Sequence, residues 1–141
     1  MFSKIKRGEA ISLPDNGDAF LHHVHTSDVA EAFLRTIKTW KPAFGQDFHV
    51  VSPQAITMRY YAEQVYQWFG QESKLNFLPL KEWMRAEPNE VHAKRTEDHV
   101  LHSLSCSIEK ARTIIGWEPR YTSLTALREV IMDWLDAENL I

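Results

Sequence analysis

Gly116-Trp117-Glu118-Pro119-Arg120, standing directly behind the run Ser107-Ile108-Glu109-Lys110-Ala111-Arg112, carries the most informative local signal in the chain. Ser107 is a capping residue type, and Ile108, Ala111, Ile114 and Ile115 mark one apolar face behind it. Gly116 supplies the left-handed stop and Pro119 blocks continuation, so the spacing predicts a short amphipathic helix with a sharp end. Punctuation of this kind names no function by itself. Downstream, Leu124, Leu127, Val130, Ile131, Trp134 and Leu135 share one face of a closing helix expected over 124–138.

Upstream, Ile11 and Leu13 alternate with polar positions ahead of Asp15-Asn16-Gly17-Asp18, a strong turn signal, and an extended run from Ala19 to Val24 follows. This predicts a hairpin. Thr26, Ser27 and Asp28 crowd the start of a helix in which Val29, Phe33 and Ile37 are spaced by four, with Asp28 and Glu31 at the spacing of a capping box. Phe48-His49-Val50-Val51 reads as a short strand, apolar enough for burial on both faces, as in a parallel sheet covered by helices. Thr57 is placed to cap a helix whose inward stripe is Met58, Tyr61, Ala62, Val65, Trp68 and Phe69, stopped at Gly70. Leu75-Asn76-Phe77-Leu78 predicts another strand. From Lys81 to Leu104 no clean period survives Pro88 and the charges, and a short helix over Glu82–Arg85 followed by loop is the expectation.

A chain of 141 residues, 44% hydrophobic and 25% charged, has enough apolar content for a globular core. Its formal charge of -3 gives no basic face for nucleic acid or an acidic membrane. No apolar stretch approaches the roughly 20 residues that span a bilayer. The single cysteine, Cys106, cannot form an internal bridge, and a reducing cytoplasm is the expected compartment.

These segments, in this order, resemble the extended short-chain dehydrogenase/reductases, the NAD-dependent epimerase/dehydratase family. His25-Thr26-Ser27-Asp28-Val29-Ala30 is similar to the family's His-Val-Asp-Asp-Val-Ala, and Phe48-His49-Val50-Val51-Ser52 to its Tyr-Asn-Val-Gly strand. A threonine-capped helix follows in both, and the stretch around Gly116 resembles the C-terminal signature. Lys6-Arg7-Gly8-Glu9-Ala10-Ile11 is similar to a segment well inside family members, so Met1 is not expected to be a natural domain start.

The resemblance implies an α/β fold, a partial Rossmann-type region with helices packed on short strands. Residues 1–141 are read as a single domain and a fragment of a larger dinucleotide-binding enzyme. Within it, 1–52 supplies a hairpin, helix and strand that would join the main sheet, and 53–141 a mainly helical substrate-binding part. The implied function is the substrate side of an NAD(P)-dependent epimerase, dehydratase or reductase, an isomerase or oxidoreductase acting on a nucleotide sugar or related small molecule. The alternative is a noncatalytic interaction module on the same scaffold.

The chemistry that the family performs has no visible carriers here. Gly8, Gly17, Gly45, Gly70 and Gly116 are too dispersed for the glycine-rich turn that lets backbone amides approach a pyrophosphate. The family's proton-transferring tyrosine has a lysine four residues on, whereas Tyr60, Tyr61, Tyr66 and Tyr121 are followed there by Gln64, Val65, Gly70 and Thr125. No catalytic residue, cofactor-binding residue or bound cofactor is therefore assigned to this chain alone, and NAD or NADP is expected of the full-length enzyme.

For substrate, the resemblance points to Arg95 and Asp98, spaced as the family's Arg-x-x-Asp pair in which arginine meets phosphate and the carboxylate accepts from ribose hydroxyls. Leu21 stands where nucleotide-sugar members carry a further phosphate-gripping arginine. Leu13 is a candidate pocket wall, with an ordinary core leucine as the other reading. The histidines, His22, His23 and His25 and then His92, His99 and His102, lack a metal-type spacing with cysteine or carboxylate. Cut from its larger sheet, the strand at Phe48–Val51 and the Val29, Phe33, Ile37 stripe would lose cover, so the isolated chain is expected to form a homodimer, swap elements or be marginally stable.

Overall fold

The computed structural model describes the backbone of residues 1–138 and side chains through residue 133. In chain order the elements are α1 (Phe2–Lys6), β1 (Ile11–Pro14), β2 (Phe20–Leu21), α2 (Thr26–Lys38), α3 (Trp40–Ala43), β3 (Ile56–Thr57), α4 (Met58–Trp68), β4 (Leu75–Leu78), α5 (Leu80–Ala86), α6 (Glu90–Leu101), α7 (Glu109–Ile115) and α8 (Ser123–Glu138). The fold is mixed α/β, as expected. Contacts divide it into two compact units: residues 1–21 with 56–104, and residues 22–55 with 105–141.

In the first unit β1 runs parallel to β4, from Ile11 opposite Leu75 to Pro14 opposite Leu78, and β2 pairs antiparallel with β3. The expected hairpin is therefore absent. The turn itself forms, with the Gly17 amide donating to the Pro14 carbonyl at 3.0 Å, but the strand behind it pairs elsewhere. Gly17 adopts φ +73, and a Cβ there would stand 3.3 Å from the Arg59 backbone nitrogen, so both the backbone angle and the close approach call for glycine. Thr57 caps α4 by accepting from the Tyr60 amide, and the helix ends with Gly70 bonding back to Gln67 and Gln71 to Tyr66, a Schellman arrangement.

The inner face of α4 is Tyr61, Ala62, Val65 and Tyr66, whereas Trp68 and Phe69 are only half-buried. The fully buried Tyr66 hydroxyl lies 2.6 Å from the Glu9 carbonyl and 3.0 Å from that of Lys74, both acceptors for its proton. Similarly, Trp83 of α5 donates its indole N–H to the Ser12 carbonyl at 2.9 Å. Residues 90–101, expected as loop, form α6. Asn89 caps it by accepting from the His92 amide at 2.9 Å, and its one buried residue is Ala93.

In the second unit the core is Ala32, Ala43, Ile108, Ala111, Ile115 and Trp117, with Phe48, Val50, Val51 and Ile114 packed against it. Phe48–Val51 is not a strand; among the described residues no backbone bond joins it to a neighbour, which a strand requires. His25, not Asp28, caps α2 through its ring nitrogen, which accepts from the Ser27 amide at 3.2 Å. Glu31 pairs with Arg35 one turn on. Ser107, the expected cap, stands one position outside the observed cap Ile108, yet its hydroxyl accepts from the Glu109 amide at 3.2 Å.

At the start of α8, Thr122 and Thr125 exchange side-chain to amide bonds at 2.9 and 3.1 Å, a reciprocal cap. Ala126 and Ile131 are buried on this helix, Leu124 and Leu127 half-buried, and Val130 is exposed against expectation. Trp134 and Leu135 lie outside the described side chains.

Trp117 has no exposed surface and donates its indole N–H to the Asp28 carbonyl at 2.9 Å. Trp117→Ala is expected to destabilise the second unit by about 3 to 5 kcal/mol. Trp117→Phe, which keeps most of the volume but removes that hydrogen bond, is expected to cost about 0.5 to 1.5 kcal/mol. Urea unfolding followed by circular dichroism reads both, and equal costs would contradict the assignment.

Candidate functional site

Arg95 and Asp98 stand one turn apart on α6, in the first unit, both exposed. Asp98 is engaged by Lys94 at 3.3 Å, and Lys94 also reaches Glu97 at 2.6 Å. Those two carboxylates, Glu97 foremost through its hydrogen bond, hold the Lys94 ammonium above its ordinary range. Arg95 makes no hydrogen bond or ion pair among the described residues. It lines an open cavity of about 470 Å³ with Met1, Glu87, Asn89, Val91 and His92.

Within that wall Glu87 faces the His92 ring at 3.2 Å and accepts from the Asn89 amide at the same distance. The arrangement offers one unspent guanidinium beside an imidazole and a carboxylate, which suits a ligand with both anionic and hydroxyl groups. Leu13 is buried in β1, against the turn at Gly17, and is not among the residues lining this cavity. Sequence reasoning missed Glu87 and His92, and Asn89 three residues before His92 was the available signal that a capped helix begins there.

Other polar residues have structural tasks. His99 donates through Nε2 to the Phe20 carbonyl at 2.7 Å, and His102 through Nδ1 to the Asp98 carbonyl at 2.9 Å, so the two rings do not converge. Among the described residues no group of three or more histidine, cysteine or acidic side chains could hold a metal ion. Burial pushes the Tyr61 phenol well above its ordinary range, the reverse of what a proton-transferring tyrosine needs. No described helix is long and apolar enough to cross a membrane.

The stretch that decided the sequence reading forms a joint in the second unit. Gly116 is left-handed at φ +63, and its carbonyl accepts from Arg35 Nη1 at 2.5 Å. Trp117 and Pro119 turn inward, while Glu118 and Arg120 face water. Asp28, 1% exposed, accepts from the Tyr121 amide at 3.1 Å and from Arg120 Nε at 3.4 Å. His25 stacks on Tyr121 with ring centres 4.0 Å apart and has Glu129 3.6 Å from its Nε2.

Comparison with known proteins locates this architecture. The chain has an extended short-chain dehydrogenase/reductase fold over part of that fold's length. No family model matches it. It is 45% identical over 47 residues to a UDP-glucose 4-epimerase of Halalkalibacterium halodurans, a match covering 33% of this chain and 14% of that enzyme. RMD from Pseudomonas aeruginosa, solved with NADPH, superposes with a TM-score of 0.63 at 18% identity, covering 94% of this chain and 38% of the other. UDP-glucuronic acid 4-epimerase from Bacillus cereus, solved with UDP-glucuronic acid and NAD, gives 0.59 at 12% identity, covering 90% and 35%. The chain thus spans well under half the length of the proteins it matches.

Arg112 holds Glu118 in a two-pronged pair at 2.6 and 2.7 Å and reaches Glu109 at 3.0 Å. Hydrogen bonding from Arg112 lowers the Glu118 carboxyl below the ordinary 4.5. A depressed folded value means that the stabilisation is present above the unfolded value and is lost as pH falls through the lowered one. The Glu118 carboxyl signal in NMR is expected to titrate below 4.5 in the wild type and to return toward it in Arg112→Gln or at high salt. An unchanged midpoint in the variant would remove the pair from the joint.

Proposed function

We propose that this chain forms the C-terminal, substrate-binding side of an NAD(P)-dependent epimerase, dehydratase or reductase acting on a nucleotide sugar or related small molecule in the cytoplasm. In this reading Arg95 meets a phosphate and Asp98 leaves Lys94 to accept from ribose hydroxyls, while Leu13, buried away from that cavity, serves as an ordinary core leucine. The dinucleotide and the tyrosine-lysine pair belong to a layer outside these 141 residues, and the chain alone performs neither hydride nor proton transfer.

One observation carries this reading. In the second unit the outward side of α2 and α3 presents Phe33 at 68% exposure, Ile37 at 72% and Phe44 at 70%, with Leu34 and Trp40 also exposed. Exposed large apolar side chains grouped in this way are characteristic of a surface that meets another layer. The Phe48–Val51 segment belongs to the same unit and has no backbone partner among the described residues. Relatives built on this scaffold support a nucleotide-holding sheet as that layer. The same face favours a second reading, a noncatalytic module that holds a protein partner there.

Calorimetric titration of the chain with NAD and NADP is expected to give no saturable binding, and tight binding would overturn the assignment of the cofactor to another layer. Supplying a nucleotide-binding segment in the same polypeptide should confer binding under the enzyme reading and leave it absent under the module reading.

The exposed face also predicts behaviour of the isolated chain. Sedimentation is expected to show concentration-dependent self-association that the double change Phe33→Glu, Ile37→Glu abolishes while the circular dichroism spectrum is retained. A wild-type chain that stays a compact monomer with a high cooperative melting temperature would contradict this.

A further inference from the structure

The second unit is entered and left by the chain at three places, between Leu21 and His22, between Ala55 and Ile56, and between Leu104 and Ser105. The His22 ring joins segments beside all three. Its Nε2 lies 2.8 Å from the Ser52 carbonyl, and its Nδ1 lies 3.2 Å from the Cys106 backbone nitrogen. A carbonyl oxygen only accepts and a backbone N–H only donates, so these partners fix one state of the ring: neutral, hydrogen on Nε2, lone pair on Nδ1. The Ser52 amide bonds in turn to the His23 carbonyl at 2.9 Å, and the Ser52 and Ser123 hydroxyls meet at 2.6 Å, so the tie continues into α8.

From this geometry we infer that His22 is a proton-sensitive tie within the second unit, whose protonation breaks the bond to the Cys106 amide and frees the segment leading into α7. A proton on Nδ1 would place N–H against N–H, turning an attraction into a repulsion. The Nε2 bond to Ser52 survives, so the release is one-sided and acts on residues 105–107.

The neighbouring titratable groups do not offset the charge. On its own segment are His23 and His25, and His25 is turned to Ser27 and Glu129. From the Phe48–Val51 segment comes His49, whose Nδ1 donates to the Ser107 carbonyl at 3.4 Å, a bond that protonation keeps. From the α7 side come the half-buried Cys106 thiol and Glu109, the latter taken by Arg112. No carboxylate pairs with His22 among the described residues. Imidazole side chains as a class change charge between about pH 5 and 8, which sets the range to scan.

NMR of the full chain across that range tests the inference. The Cys106 amide resonance is expected to shift with the same midpoint as the His22 ring protons, and its protection from hydrogen exchange, corrected for intrinsic rate, to fall several-fold on the acid side. In His22→Gln, whose amide can accept from Cys106 and donate to Ser52 without titrating, both changes should vanish while protection at neutral pH is kept. A wild-type Cys106 amide that does not follow the His22 ring overturns the proposal whether or not the variant folds. A step with an unchanged midpoint in His22→Gln overturns it too, assigning the effect to His25 or His49.

Discussion

A carboxylate buried in the first turn of a helix constrains everything around it. Withdrawing such a charge from water costs several kcal/mol unless hydrogen bonds replace its hydration. At Asp28 the replacements come from the Tyr121 amide and the Arg120 guanidinium, more than ninety residues along the chain. The carbonyl of the same residue takes the Trp117 indole N–H. Three consecutive demands at one point leave the segment after α7 a single path past the start of α2. Gly116 is needed where it is because the chain must turn out of α7 to reach that path, and its carbonyl then meets Arg35 two turns further along α2. A family-like string that reads as helix punctuation is therefore a joint between two distant helices, with the apolar core of the second unit closing behind it.

Local rules were enough for the elements whose ends are written beside them. Thr57 and Gly70 bracket α4, and Gly116 and Pro119 end α7, because caps and stops depend on neighbours a few residues away. Pairing of strands is different. Asp15-Asn16-Gly17-Asp18 does turn the chain, but nothing local says that Ile11–Pro14 will lie parallel to Leu75–Leu78, whose approach depends on α4 filling the crossover. Asp28 and Glu31 imitate a capping box, yet the distant amide of Tyr121 and the adjacent Arg35 claim the two carboxylates. At the candidate site the spacing of Arg95 and Asp98 was legible, while Lys94, four residues before Asp98, changes what that carboxylate does. The intervening charges hid the helix, and with it Glu87 and His92.

The two units solve the same packing problem to different degrees. In the first, the aromatic groups with polar handles deliver them to backbone carbonyls, as Tyr66 does to Glu9 and Trp83 to Ser12, and the four strands are paired. In the second, α2 buries Asp28 and Ala32 and turns Phe33, Leu34 and Ile37 outward. Small residues inside and large apolar residues outside invert the usual surface helix, whose apolar stripe faces its own core. Covering each such side chain is worth roughly 1.5 to 3 kcal/mol, and several together rival the net stability of a small domain.

That inversion ties fold to function more firmly than any single polar residue. A catalytic constellation can be lost while its scaffold persists, so missing chemistry alone would not distinguish a substrate-side segment from a retired one. An apolar helix face and an unpaired segment in one unit are costly to keep against water, through aggregation as much as through lost burial. Their joint presence argues for a layer that covers both, with a sheet able to pair Phe48–Val51 and an apolar surface able to receive Phe33 and Ile37. The proposed enzyme reading needs one polypeptide layer to answer both features, whereas a protein-binding module needs a partner that presents an apolar surface and a free strand edge together.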